Sequence, residues 1–157
     1  MSIEATVYMS MKRYLKVAGW HLIGGQPPSG TDSLPVIEIK LNFGSQRGSR
    51  DSMKPDLLAV QRDELLVLEL KPRYSRTDHI KLQSLLDSPG RIEALWEALR
   101  ERNIRDENGD VLFTRKSKMK LIVGLGHTEL KPPLSEVWQF IKSDESFLAI
   151  PPATREH

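Results

Sequence analysis

Apolar residues at Ile3, Val7, Met11, Tyr14, Leu15 and Ala18 recur at helical spacing, which predicts one amphipathic helix ending at Gly19. The period then falls to two. Pro35-Val36-Ile37-Glu38-Ile39-Lys40-Leu41-Asn42-Phe43 alternates and predicts a first strand, entered from the Pro- and Gly-rich segment Gly24 to Gly30. Lys54 to Val60 and Leu65 to Lys71 form two more runs around the turn Gln61-Arg62-Asp63-Glu64, the pattern of a hairpin. Thr77 is the expected N-cap of a helix through Ile80, Leu82, Leu85 and Leu86. Ser88-Pro89 restarts a helix through Ile92, Leu95, Trp96 and Leu99. Asn108-Gly109 marks a turn, Val111-Leu112-Phe113 a short strand and Lys120 to Leu125 a fourth core strand. A last helix is expected from Ser135, carrying Val137, Trp138, Phe140 and Ile141. The expected single domain covers residues 1–150, with 151–157 as a disordered tail.

The hairpin carries the most chemistry. With Arg62-Asp63 as a two-residue loop, Asp56 falls directly opposite Glu69. Alternation puts Lys71 on the face of Glu69, with Leu58, Val60, Leu65 and Val67 nearer the turn. The other face is Pro55, Leu57, Ala59, Leu66, Leu68 and Leu70, so the hairpin should be buried on both sides. Facing Cβ atoms lie about 4.5 to 5.5 Å apart, where two like charges repel unless a cation stands between them. Mg²⁺ takes hard oxygen ligands at roughly 2.0 to 2.1 Å, commonly one or two carboxylates with waters and phosphate oxygens. Lys71 adds a cation able to steer a metal-bound water or offset transition-state charge. A structural ion pair capping the hairpin is the competing reading.

Pro55-Asp56, followed after twelve intervening residues by Glu69-Leu70-Lys71-Pro72, resembles the PD-(D/E)xK nuclease superfamily of restriction-endonuclease-like fold. The resemblance covers about residue 3 to residue 126. It implies a three-layer α/β/α core running helix, three strands, helix, strand around a mixed central sheet, with the Asp on the second strand and the Glu-x-Lys on the third. It further implies a Mg²⁺-dependent nuclease, with Mn²⁺ able to substitute. Asp56 and Glu69 would hold the metal, the Leu70 carbonyl would add a ligand, and Lys71 would position the attacking water. Glu4 is the matching candidate for an extra acid from the first helix; alternatively, it complements the positive end of the helix dipole. Gln83 stands on the helix after the motif as in RecB-like members, but Asp87 occupies the place of their tyrosine.

Glu38-Ile39-Lys40 also spells Glu-x-Lys, yet no Pro-preceded acid lies on a strand just upstream, which favours a solvated or supporting face. Arg47, Arg50 and Lys54 before Asp56, with Arg73, Arg76 and Lys81 after Lys71, could meet a phosphate backbone. Arg115, Lys116, Lys118 and Lys120 form a third cluster. Net charge is only +2, so this distribution, more than the total, points to nucleic acid, with DNA the expected partner. One site cuts one strand, so the chain would dimerise to break a duplex, or else act as a nickase or on junctions and ends.

The absence of cysteine among 157 residues excludes disulfides, a thiolate zinc site and a cysteine nucleophile. His21, His79, His127 and His157 lack metal-ligand spacing and read as surface or capping residues. No Walker A sequence or dinucleotide fingerprint occurs. Trp20, Trp96 and Trp138 read as core residues. With no membrane-length apolar run and no signal-peptide pattern, the expected location is the cytoplasm. The rival function is a noncatalytic nucleic-acid-binding or accessory protein on the same fold; a third is an interaction domain of a defence or mobile-element system.

Overall fold

A computed structural model describes residues 2–40, 52–114 and 119–153. Helix α1 (Ile3–Val17) is capped by Ser2, whose hydroxyl accepts from the Ala5 amide, and it buries Val7, Tyr8, Met11 and Leu15. The chain then enters β1 (His21–Gly25) through Gly19, whose positive φ of 92° suits a residue without Cβ. A short pair follows, β2 (Ile39–Lys40) and β3 (Ser52–Met53), separate from the main sheet. β4 (Leu57–Gln61) and β5 (Glu64–Leu70) form the predicted hairpin, and α2 (Arg76–Asp87) and α3 (Pro89–Glu101) come next. β6 (Lys120–His127), β7 (Trp138–Ser143) and β8 (Ser146–Ile150) complete the order.

The result is a mixed α/β architecture: a six-stranded sheet ordered β1-β4-β5-β6-β7-β8 and, among the described residues, three helices. β1, β4 and β5 run antiparallel to their neighbours, β5, β6 and β7 pair in parallel, and β8 returns antiparallel. α1 packs on one face, against Leu57, Ala59, Leu66, Leu68 and Leu70. Leu82, Leu85, Leu95 and Leu99 of α2 and α3 cover the other, over Leu58, Val60, Leu65 and Val67. The strands with apolar residues on both sides are therefore the ones sandwiched between helices. No helix among the described residues is long and apolar enough to cross a membrane.

The hairpin register matches the sequence expectation: Leu57 pairs with Leu68 and Gln61 with Glu64, leaving Arg62-Asp63 as the loop, with Arg62 at a φ of 58°. Four element assignments differ. The alternating segment at residues 35–43 is not a strand of the main sheet. It contributes only Ile39–Lys40 to the small pair, while Ile37 and Ile39 sink into the core beneath α3; residues 41–43 lie outside the described set. The first core strand is β1, whose glycines read as loop in the sequence. A Cβ on Gly24 would come within 2.6 Å of Ile37 Cγ1, and one on Gly25 within 2.6 Å of the Tyr8 hydroxyl. These glycines mark close approach of neighbouring chain, with no turn involved.

The expected last helix from Ser135 is instead the β7–β8 hairpin. Val137, Trp138, Phe140 and Ile141 are apolar on both sides of a strand, and such a run fits helical and extended spacing alike. Trp138 and Phe140 meet the α1 face, while Val137 joins the opposite core. The cap of α2 also moves, from Thr77 to Ser75, whose hydroxyl accepts from the Asp78 amide. Ser88 and Pro89 start α3 as expected. Val111 makes an isolated bridge to Arg105 in place of a strand. Residues 151–153 carry no regular structure, although the Ala153 amide donates to the Leu134 carbonyl.

Candidate functional site

Asp56 stands just before β4, and its backbone N–H donates to the Leu68 carbonyl, continuing the hairpin ladder toward Glu69. Its carbonyl accepts from the Gln26 amide. Its carboxylate Oδ2 accepts from the Leu70 amide at 2.7 Å, in the place a backbone carbonyl would otherwise fill. The side chain is thus held against the end of β5. Glu69 is only 3% exposed, flanked in the sheet by Leu125 of β6.

The two carboxyl groups share a hydrogen bond. Burial and then the Asp56 charge push the Glu69 carboxyl up to about 9, and burial likewise raises Asp56. Without a cation the pair therefore retains a proton near neutral pH. Glu69 Oε1 is buried with no hydrogen-bond partner.

A third acid joins from the other side. Asp78, in the first turn of α2, is 5% exposed, and its Oδ2 is likewise buried without a partner. Lys81, one turn on, places its ammonium 3.5 Å from Glu69 Oε1 and 3.9 Å from Asp78 Oδ1. Lys81, expected to meet phosphate, pairs with these acids, and Asp78 is a site residue that the sequence analysis does not name; an acid in a first helical turn ordinarily serves the helix dipole. Its position three residues before Lys81 was the available signal, since that spacing faces both side chains the same way.

Lys71 does not simply follow the Glu69 face. β5 ends at Leu70, so strand alternation ends there, and the long side chain reaches across to Glu4 of α1, with Nζ 3.7 Å from Oε1. Partial burial pulls the Lys71 ammonium down, but Asp78, Asp56, Glu4 and Glu69 together outweigh that and hold it above its ordinary value. A pocket of about 160 Å³ opens on Asp56 and Leu70 and is lined by Glu4, Tyr8, Gln26, Pro27 and Pro28. Its wall is fixed: the Tyr8 hydroxyl donates to Asp32 Oδ2 at 2.7 Å, Lys12 pairs with the same oxygen at 2.9 Å, and the Leu34 amide donates to Oδ1. Larger pockets of about 440 and 390 Å³ lie beside Gly19 and His21, toward the hairpin turn and away from the carboxylates.

The structure therefore brings Asp56, Glu69, Lys71, Glu4 and the Leu70 backbone together and adds Asp78 and Lys81. Lys54, Arg73 and Arg76 are exposed on the chain segments flanking the carboxylates. Arg47, Arg50, Arg115, Lys116 and Lys118 lie outside the described residues. Glu38 and Lys40 belong to the β2 segment, outside the six-stranded sheet.

Two buried carboxylate oxygens without partners suit a cation, because an unpaired buried charge is costly. Among the described residues no group of three or more His, Cys, Asp or Glu side chains converges as a metal-ligand set. A divalent ion here would rest on Asp56 and Glu69, with the Leu70 carbonyl and water completing its shell. Comparison of the chain with protein-family models, with curated proteins and with solved structures gave no match.

Proposed function

We propose that the protein is a metal-dependent endonuclease of the PD-(D/E)xK type, hydrolysing phosphodiester bonds in DNA. The observation that carries this reading is the pair of acids at the end of the central hairpin, Glu69 buried and Asp56 half-buried and held to the Leu70 amide, with Lys71 at the rim. The element order supports it too: one helix, three antiparallel strands, helical segment, then a strand parallel to the third, although the first strand is β1. Mg²⁺ or Mn²⁺ at the pair supplies Lewis-acid stabilisation of phosphate charge and a more acidic water.

Asp56 and Glu69 would hold the ion as carboxylates, giving up the proton that they keep without it. Lys71, released from Glu4 or sharing it, donates a hydrogen bond to the attacking water. The pocket bounded by Pro27 and Pro28 receives the scissile phosphate beside Asp56. Attack of the water oxygen on phosphorus, with release of a water proton to solvent, breaks the bond to the sugar oxygen, which leaves with a proton from solvent. Lys54, Arg73 and Arg76 offset the backbone charge of the strand. A homodimer would supply the second cut of a duplex.

Incubation with plasmid, single-stranded DNA, a four-way junction and structured RNA, each with Mg²⁺, Mn²⁺ or EDTA, tests enzyme status and substrate class together. Cleavage that needs metal and vanishes in Asp56→Asn supports the reading. The ion pairs of Glu69 with Lys81 and of Glu4 with Lys71 favour a second reading, a noncatalytic nucleic-acid-binding protein whose acids are balanced internally. Binding without cleavage under every condition would establish it.

A further inference from the structure

We infer that the Lys81 ammonium fills the position of a second divalent cation, between Glu69 and Asp78, so that this site takes one metal ion per chain. The inference rests on the metal-dependent reading above and specifies its stoichiometry. Asp78 does not behave as an acid that merely complements a helix N-terminus. Such acids sit in solvent, whereas Asp78 is 5% exposed and leaves Oδ2 without a partner. It acts electrostatically on Asp56, Glu69 and Lys71 alike, which places it on the same acidic centre.

Lys81 lies between that acid and Glu69, close enough to pair with both yet at distances, 3.5 and 3.9 Å, looser than the usual charge-assisted hydrogen bond. A small divalent ion with its waters could bridge the same two oxygens. Charge balance points the same way. Glu4 and Lys71 offset each other, and the three remaining carboxylates, Asp56, Glu69 and Asp78, are neutralised by one divalent ion together with the Lys81 ammonium. A second divalent ion with Lys81 in place would meet an already neutral centre. Removing the ammonium leaves the one-ion centre negative and frees the space between Glu69 and Asp78 for that ion.

Manganese titration of the full chain, with free Mn²⁺ read by electron paramagnetic resonance, tests this directly. Wild type should bind one ion, Lys81→Met two, and Lys81→Arg one. The double variant Lys81→Met, Asp78→Asn should return to one, because half of the second site is gone. Lys81 is 41% exposed at its side chain, so its replacement should leave the fold intact, which thermal unfolding in EDTA checks; Lys81→Gln replaces Lys81→Met if the latter unfolds. One ion in the folded Lys81 variant, or two in wild type, overturns the inference while leaving the metal-dependent reading intact. No bound ion in wild type overturns both.

Discussion

Asp78 and His79 are neighbours in the chain and both are buried in the first turn of α2, yet they enter clusters of opposite character. His79 Nε2 lies 2.9 Å from the Ser135 carbonyl, which can only accept, so that nitrogen carries the proton and Nδ1 accepts from the Tyr74 hydroxyl at 2.8 Å. His127, at the end of β6, is arranged in the same manner. Its Nδ1 accepts from the Glu129 amide, its Nε2–H donates to Gln139 Oε1, and Gln139 donates onward to the Pro132 carbonyl. Burial pulls the His127 imidazole below its ordinary value, in keeping with an Nδ1 that accepts from the Glu129 amide. Every polar atom of this chain of bonds is satisfied without charge. Around Asp78 and Glu69, by contrast, buried carboxylate oxygens lack partners and acids lie against acids. Equal burial thus separates a cluster that holds the β6–β7 connection in place from one whose buried acids keep oxygens without hydrogen-bond partners. It also corrects the expectation that the histidines are surface or capping residues, since His79 and His127 are interior.

The sharpest break in this comparison comes from Lys71. Lys71→Ala should slow cleavage by about 10²- to 10³-fold, roughly 3 to 4 kcal/mol of transition-state stabilisation, while Mn²⁺ and DNA binding persist. Lys40→Ala, in the other Glu-x-Lys, should cut near the wild-type rate in the same single-turnover assay. The reverse pattern would move the active site to the β2 segment.

Metal should stabilise only the open cluster. At Mn²⁺ about 100-fold above its dissociation constant, the unfolding free energy should rise by about 2.7 kcal/mol. Calorimetric titration and denaturant melts of an Asp56→Asn, Glu69→Gln double variant should show neither binding nor the gain; binding that survives would remove these two acids as ligands.

Deleting a partner should be costly in the satisfied cluster and almost free in the open one. Gln139→Leu strands the His127 Nε2–H and the Pro132 carbonyl and should cost about 1 to 3 kcal/mol in urea melts. Asp56→Asn in EDTA should leave stability unchanged or slightly higher, because Asn keeps an oxygen for the Leu70 amide and removes a desolvated acid that lies near Asp78. A loss of about 2 kcal/mol or more would make Asp56 a structural residue.

The last prediction is one of pH. Glu69 is raised from 4.5 to about 9 in the fold, so the folded protein binds more protons than the unfolded chain between those values. Stability in EDTA should therefore be full at the acid end of that window and decline as pH rises through it. Glu69→Gln should flatten that slope in melts at a series of pH values, and a wild-type slope of opposite sign would contradict the buried proton.

How much of the site was legible follows from how local each interaction is. Strand periodicity and the two-residue Arg62-Asp63 loop fix register within one hairpin, so Asp56 and Glu69 could be matched before any packing was known. Glu4 was legible as a helix residue, but its pairing with Lys71 depends on how α1 crosses the sheet. Gly24 and Gly25 misled because glycine serves turns and close approach equally, and only the positions of Tyr8 and Ile37 distinguish them. Val137 to Ile141 misled because a segment apolar on both sides has no periodic signature of its own.

The sequence by itself determined the amphipathic helix α1, the central hairpin with its facing carboxylates, the two helices that follow and the strand β6. Each is set by spacing or by a turn within a few residues of chain. Tertiary structure alone decided that His21–Gly25 joins the sheet, that Trp138–Ser143 extends it, and that Asp78 and Lys81 close over Glu69. Those outcomes depend on which surfaces dock. Docking fixes burial, and burial leaves an ordinary first-turn aspartate with one oxygen that has no hydrogen-bond partner, beside two other acids.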